Sequence, residues 1–379
     1  MTATARCLLA LFLLVPPATL AAAPPVPSPP KLEARSWILV DGQSGRVITS
    51  KNADAPVEPA SLTKLMTAYA VFHALADGKL TLDTTVPISE RAWRAEGSRT
   101  FVEVGTRVRV EDLLQGMIVQ SGNDASIALA EAIAGTEESF ASLMNSYARN
   151  LGMSHSNFLN STGLPGEGHL VTARDMSLLA HAIVHEFPQY YRWYSQRSFT
   201  WNNITQPNRN GLLDRDPSVD GMKTGHTEAA GYCLVSSARR DGMRMIAVVM
   251  GTSGFKARED ASLALLNYGF GSFETRRLHP KGAELARPRI YGADSGEAAI
   301  GLRDDFYATV PRGRGGDIQV SVTLDPGLEA PLAASTPVGK LRATLDGQLV
   351  AIQNLYPLAD VAEGGFFRRA WDGVMSWFD

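Results

Sequence analysis

The chain has 379 residues, enough for two or three domains, and its 45% hydrophobic and 20% charged residues supply a full core. With 36 Lys+Arg against 39 Asp+Glu the formal net charge is −3, so no basic excess exists to neutralise a phosphate backbone, which excludes nucleic acid as the main partner. Two cysteines, Cys7 and Cys233, cannot build a disulfide framework or a thiolate metal cage.

Residues 1–23 read as a secretory signal. Arg6 precedes an apolar run from Leu8 to Val15, and Pro16, Pro17 and Ala21 to Ala23 follow it. Residues 24–34 are Pro-rich and read as an extended spacer with no packed element. Residues 36–49 give a strand, a turn at Asp41-Gly42-Gln43-Ser44-Gly45 and a second strand. Residues 61–76 are apolar nearly all round, the mark of a central, buried helix. Helical periodicity continues over 111–118, 122–134, 137–150 and 172–186. Two strands follow at 231–237 and 243–251, and a helix at 257–268. Strands at both ends of this segment with helices between them predict one antiparallel sheet packed on a helical cluster, an α+β catalytic domain over 35–277.

From about residue 278 the helical period stops. Ile318, Val320, Val322 and Leu324 alternate, as do Leu341, Ala343 and Leu345, and Asp346-Gly347 marks a hairpin. Residues 278–362 are therefore expected to form a small all-β domain, suited to spacing or binding because no set of residues in it would do chemistry. At the end, Phe366, Phe367, Ala370, Trp371, Val374, Met375, Trp377 and Phe378 recur at helical spacing. Residues 363–379 read as an amphipathic helix lying on a membrane surface through 366–378. Docking of this helix on its own domain, or an oligomer contact, stays open as an alternative. Nothing indicates an oligomeric state.

Three short motifs lie in order in the first domain. Ser61-Leu62-Thr63-Lys64 stands at the start of the buried helix, where residues three apart share a face. A serine hydroxyl is a weak nucleophile until a base takes its proton. A lysine held neutral by burial and a second cation can be that base. Two other Ser-x-x-Lys matches, at Ser28 and Ser253, lack the helix start. Ser121-Gly122-Asn123 opens a helix of small residues and offers a hydroxyl for proton relay and an amide for a peptide group, although the same residues make plain helix caps. Lys223-Thr224-Gly225 precedes the strand at 231 and should sit on an edge strand, supplying charge, a hydroxyl and close backbone approach.

The order, spacing and placement of these motifs match serine enzymes that react with β-lactams. The chain resembles the low-molecular-mass penicillin-binding proteins, the D-alanyl-D-alanine carboxypeptidases. The likeness runs through Lys223-Thr224-Gly225-His226-Thr227, Phe255-Lys256-Ala257-Arg258-Glu259, Val310-Pro311-Arg312-Gly313-Arg314, the β domain and the amphipathic end. It implies a serine β-lactamase/transpeptidase-like α+β domain, the all-β domain behind it, and removal of the terminal D-alanine from peptidoglycan pentapeptide stems. Ser61 would be acylated with Lys64 as its base. Ser121 would relay a proton to the leaving D-alanine, and Asn123 would hold the substrate amide. Lys223 would depress the pKa of Lys64 and bind substrate. Thr224 and Arg258 would take the terminal carboxylate, Gly225 would give close approach, and the backbone N–H groups of Ser61 and His226 would bind the oxyanion. No metal or cofactor is implied. The implied partners are stem peptides and β-lactams, and the implied place is the periplasmic face of the inner membrane. One departure is Thr162, where the resembled enzymes often carry His before Gly163. A serine β-lactamase shares the three motifs but needs Glu-x-x-Leu-Asn, and Glu167-Gly168-His169-Leu170 is followed by Val171. A non-catalytic, peptidoglycan-binding scaffold would not need Ser61 and Lys64. His181 and His185 stand at zinc-ligand spacing, but Ala182 occupies the place of the glutamate base.

Overall fold

The computed structural model describes residues 26–365, so the expected leader (1–23) and the amphipathic stretch (366–378) lie outside the described residues. A five-stranded antiparallel sheet runs in the order Val47–Lys51, Ser36–Asp41, Met243–Thr252, Gly231–Arg240, Val219–Thr227. The first two strands come from the start of the domain and the last three from its end, as the pattern of strands around helices predicts. Alternation along each strand divides the sheet between two cores. Ile38, Val40, Val235, Ile246 and Val248 face a helical cluster, while Trp37, Leu39, Leu234 and Val249 face helix Phe255–Ser272 through Leu265, Leu266 and Phe270.

The central helix is Thr63–Ala76, with 11 of its 14 residues buried. A helix apolar on every side must be enclosed, and it is, by Val110–Val119, Asn123–Ala134, Glu137–Asn150 and Ala173–Glu186. The spacer expectation needs one correction. Among the described residues no helix or strand precedes Ser36, but Leu32 and Ala34 pack against the outer core, and the Tyr268 hydroxyl donates to the Pro27 carbonyl at 3.0 Å. An extended chain with apolar side chains lies along the domain because those side chains gain cover there.

The C-terminal part is all-β. Strands Phe273–His279 and Phe306–Pro311 pair. A second five-stranded sheet runs Glu284–Ala286, Ile300–Gly301, Gln348–Pro357, Gly339–Leu345, Gln319–Leu324 over its own core of Ile300, Phe306, Leu341 and Leu355. The hairpin turns at Asp346 (φ +50°) and Gly347 (φ +76°), both left-handed, as Asp-Gly predicts. The two parts meet on the turn that follows strand Ser36–Asp41. Asp41 accepts from the Gln43 and Ser44 amides and from the Thr275 hydroxyl, and the Ser44 hydroxyl meets that of Thr309 at 2.6 Å.

Candidate active site

Ser61 lies in a short 3₁₀ turn, Ala60–Leu62, that runs directly into the central helix. Ala60, just before it, has φ +46°, a left-handed conformation that costs a non-glycine residue on the order of 1–2 kcal/mol. The surroundings hold it there. Gly163 rests so close to the Ala60 carbonyl that a Cβ would overlap it, and the absent side chain of Gly225 lets the edge strand approach Pro59 O, where a Cβ would come within 3.1 Å. The glycine at 225 lets the edge strand lie close against the turn that carries Ser61.

One helical turn on, Lys64 Nζ lies 3.0 Å from Ser61 Oγ and donates to Asn123 Oδ1 and to the Thr162 carbonyl, each at 2.6 Å. Lys64 is 1% exposed. Burial first, and the Arg209 guanidinium second, bring its pKa down from 10.5 to about 7. Lys223, also buried, is driven well below its ordinary value by burial and then by Lys64, Arg209 and Arg258. Burial and the arginines thus favour the neutral form of both lysines, and the cation that depresses Lys64 is Arg209 rather than the expected Lys223. By contrast, Lys31 and Lys256 of the other two Ser-x-x-Lys matches are exposed.

Ser121 (φ +67°) precedes helix Asn123–Ala134, and its buried hydroxyl has no hydrogen-bond partner among the described residues. With Ser61, Ser98, Arg209, Thr224, Gly225, His226, Phe255 and Arg258 it lines a cleft of about 160 Å³. Asn123 is committed on both sides of its amide. Its oxygen accepts from Lys64, and its nitrogen donates to the Glu96 carbonyl at 2.5 Å. Its visible work is therefore to seat the amine. The next residue, Asp124, is fully buried and accepts from the Thr100, Phe101 and Val102 amides at 2.8, 2.8 and 3.2 Å, which ties the cleft-lining loop at Ser98 to the helix start.

Lys223, Thr224, Gly225 and His226 lie on the edge strand Val219–Thr227, as expected. Lys223 Nζ donates to the Thr224 carbonyl at 2.9 Å. The His226 side chain is exposed and stacks on Tyr232 at 3.9 Å. Arg258 is 2% exposed, and no carboxylate pairs with it among the described residues. It donates to the Gly225 and Arg209 carbonyls at 3.3 and 3.4 Å and lies under the Phe255 ring at 5.0 Å. Arg209 likewise has no acidic partner there and donates through Nε to the Gln120 carbonyl and side chain. Two guanidiniums without counterions on one cleft wall are arranged for an anionic ligand.

Sequence reasoning brought Ser61, Lys64, Ser121, Asn123, Lys223, Thr224, Gly225, His226 and Arg258 to this region, and the structure gathers all of them. It missed Arg209. Pro207-Asn208-Arg209-Asn210-Gly211 reads as an ordinary loop, and nothing local says where its basic side chain goes. It also missed Asp124 and Glu137, buried carboxylates whose fields raise the Lys64 pKa against the arginine. Glu167 is exposed, and it does not line the cleft.

A reactive hydroxyl, a neutralised amine beside it, a second hydroxyl and paired guanidiniums around one cleft can carry out serine acyl transfer on a substrate bearing a carboxylate. Comparison with known proteins agrees. Residues 23–254 match the family described as D-alanyl-D-alanine carboxypeptidase, and residues 273–363 match the C-terminal domain of penicillin-binding protein 5. The D-alanyl-D-alanine carboxypeptidase DacA of Haemophilus influenzae is 41% identical over 92% of this chain and 90% of its own length. DacC of Escherichia coli is 42% identical over 97% of this chain and 94% of its own. The crystal structure of penicillin-binding protein 5 from Haemophilus influenzae superposes with a TM-score of 0.81, at 42% identity, covering 89% of this chain and 99% of that one. An ampicillin-bound penicillin-binding protein D2 from Listeria monocytogenes superposes over 63% of this chain and 98% of its own, with a TM-score of 0.58 and 30% identity. The chain belongs to the D-alanyl-D-alanine carboxypeptidase family of serine peptidases.

Proposed function

We propose that this enzyme removes the terminal D-alanine from peptidoglycan pentapeptide stems through an acyl-enzyme on Ser61, and that β-lactams acylate the same oxygen. The observation that carries the reading is the pair at 3.0 Å, Ser61 Oγ and a buried Lys64 whose pKa is about 7. At neutral pH about half of such amines are free to take the serine proton. The hydroxyl then attacks the penultimate carbonyl, and the oxyanion accepts from the backbone N–H groups of Ser61 and His226. Ser121, unpartnered and on the cleft wall, passes a proton to the departing amine. Arg258, Arg209 and Thr224 take the terminal carboxylate, with Lys223 binding substrate beside them on the edge strand. Asn123 seats Lys64 while offering its remaining valences to the substrate amide.

Turnover of penicillin as a β-lactamase is disfavoured by Glu167, which is exposed and off the cleft. Export by residues 1–23, action at the periplasmic face of the inner membrane and attachment there through residues 366–378 belong to the same proposal. No helix among the described residues is long and apolar enough to cross a membrane. Incubation with a fluorescent penicillin followed by mass spectrometry should find the label on the peptide containing Ser61, and Ser61→Ala should lose both label and D-alanine release. A labelled Ser61→Ala protein refutes the assignment. Truncation before residue 364 should give a soluble, active enzyme, and pelleting with membranes as before would dismiss the anchor.

A further inference from the structure

We infer that Glu137 is a positioning residue for this reaction: its carboxylate holds the Ser161-Thr162 wall of the Lys64 pocket in place from behind. The inference rests on the reading of Lys64 as the base, and it adds a residue that none of the three motifs contains.

Glu137 is the first residue of helix Glu137–Asn150, and it is 6% exposed. A carboxylate in a first helical turn commonly serves the helix itself. Here the cap is already supplied by Thr136, whose hydroxyl accepts from the Ser139 amide. The side-chain bonds of Glu137 go elsewhere. One oxygen accepts from the Ser161 amide at 2.9 Å and the Ser161 hydroxyl at 2.6 Å, and the other accepts from Arg91 at 2.7 Å. The segment so held is the one that meets the central helix. Ser161 O accepts from the Thr67 hydroxyl at 2.7 Å, Thr162 O accepts from Lys64 Nζ at 2.6 Å, and Gly163 packs on the Ala60 carbonyl. A continuous chain of contacts therefore runs from Arg91 through Glu137 and Ser161-Thr162 to the amine.

The same carboxylate acts on that amine through its charge. Around Lys64 stand Ser61 on its own turn, Asn123 and Asp124 on the neighbouring helix, the Thr162 carbonyl, Arg209 from its loop and Lys223 from the edge strand. Glu137 lies behind the Thr162 wall, with Arg91 on its far side. Asp124 and Glu137 favour the protonated amine, and burial and Arg209 oppose them. The wall thus fixes where the amine sits, and the carboxylate behind it trims the pH at which the amine becomes a base.

Two substitutions in the full chain separate these effects. Glu137→Gln can keep both bonds to Ser161 through its amide oxygen while removing the charge. The acid limb of the rate of acylation by a fluorescent penicillin should then move down by about half a pH unit, with the plateau within about twofold of the wild type. Glu137→Ala removes the bonds as well, and its plateau should fall at least about tenfold in protein that still melts cooperatively. If Glu137→Ala does not fold, Ser161→Ala removes one of the bonds and should lower the plateau by about threefold. A Glu137→Gln limb that stays put or moves up overturns the inference, as does an unchanged plateau in the Ala variant. Neither result would touch Ser61. The proposed function fails separately, on a Ser61→Ala protein that still takes the label.

Discussion

Replacing Lys64 by Met tests whether the fold holds this amine neutral, and it has two readouts. Folding takes the lysine from an ordinary pKa of 10.5 to about 7. At about 1.4 kcal/mol per pH unit, that depression means the folded state carries a penalty of roughly 5 kcal/mol when the unfolded chain holds the proton and the native pocket resists it. Below the folded value both states bind the proton and the penalty is complete. Between about 7 and 10.5 the unfolded chain binds more protons than the native one, so wild-type stability climbs with pH. Above 10.5 the penalty is gone. Met fills a similar volume and does not titrate, although it abandons the bonds to Asn123 and Thr162, a loss that does not depend on pH. The difference in unfolding free energy, mutant minus wild type, should therefore shrink by several kcal/mol between pH 7 and pH 10. Denaturant melts across that range measure it. The same variant should lose acylation by penicillin near neutral pH, because methionine has no nitrogen to take the Ser61 proton. A flat difference curve would show that burial does not neutralise Lys64, and the account of its role as base would fall with it.

Arg209→Gln removes the cation that depresses Lys64 and one of the two unpaired guanidiniums of the cleft. The acid limb of the acylation profile should move to higher pH, since a lysine relieved of repulsion keeps its proton longer. A limb left at its wild-type position would mean that Arg209 does not act on the amine. Gly163→Ala places a methyl against the Ala60 carbonyl at φ +86°, and stability should fall by at least about 2–3 kcal/mol, with slower acylation through the displaced turn. An unaltered melting temperature would contradict the packing described here.

Much of this enzyme was legible in the linear order of its residues because the relevant physics is local. The apolar run after Ser61 makes a helix that must be enclosed, and the three-residue spacing brings hydroxyl and amine together within one turn. Asp346-Gly347 adopts the two left-handed conformations a hairpin needs, and strand alternation sorts side chains between two cores. These outcomes follow from backbone geometry over a few residues. Arg209, Asp124 and Glu137 follow no such rule. The bond from Lys64 to Asn123 spans 59 residues and the one to Thr162 spans 98. Whether an arginine from an ordinary loop ends beside the amine, or a first-turn glutamate supports a wall from behind, depends on how layers far apart in the chain pack. The same packing keeps water out, and that exclusion turns a common lysine into one that is half deprotonated at neutral pH. The chain order supplied the reacting groups, and the tertiary enclosure set their charge, because the cost of a buried ion depends on everything that surrounds it.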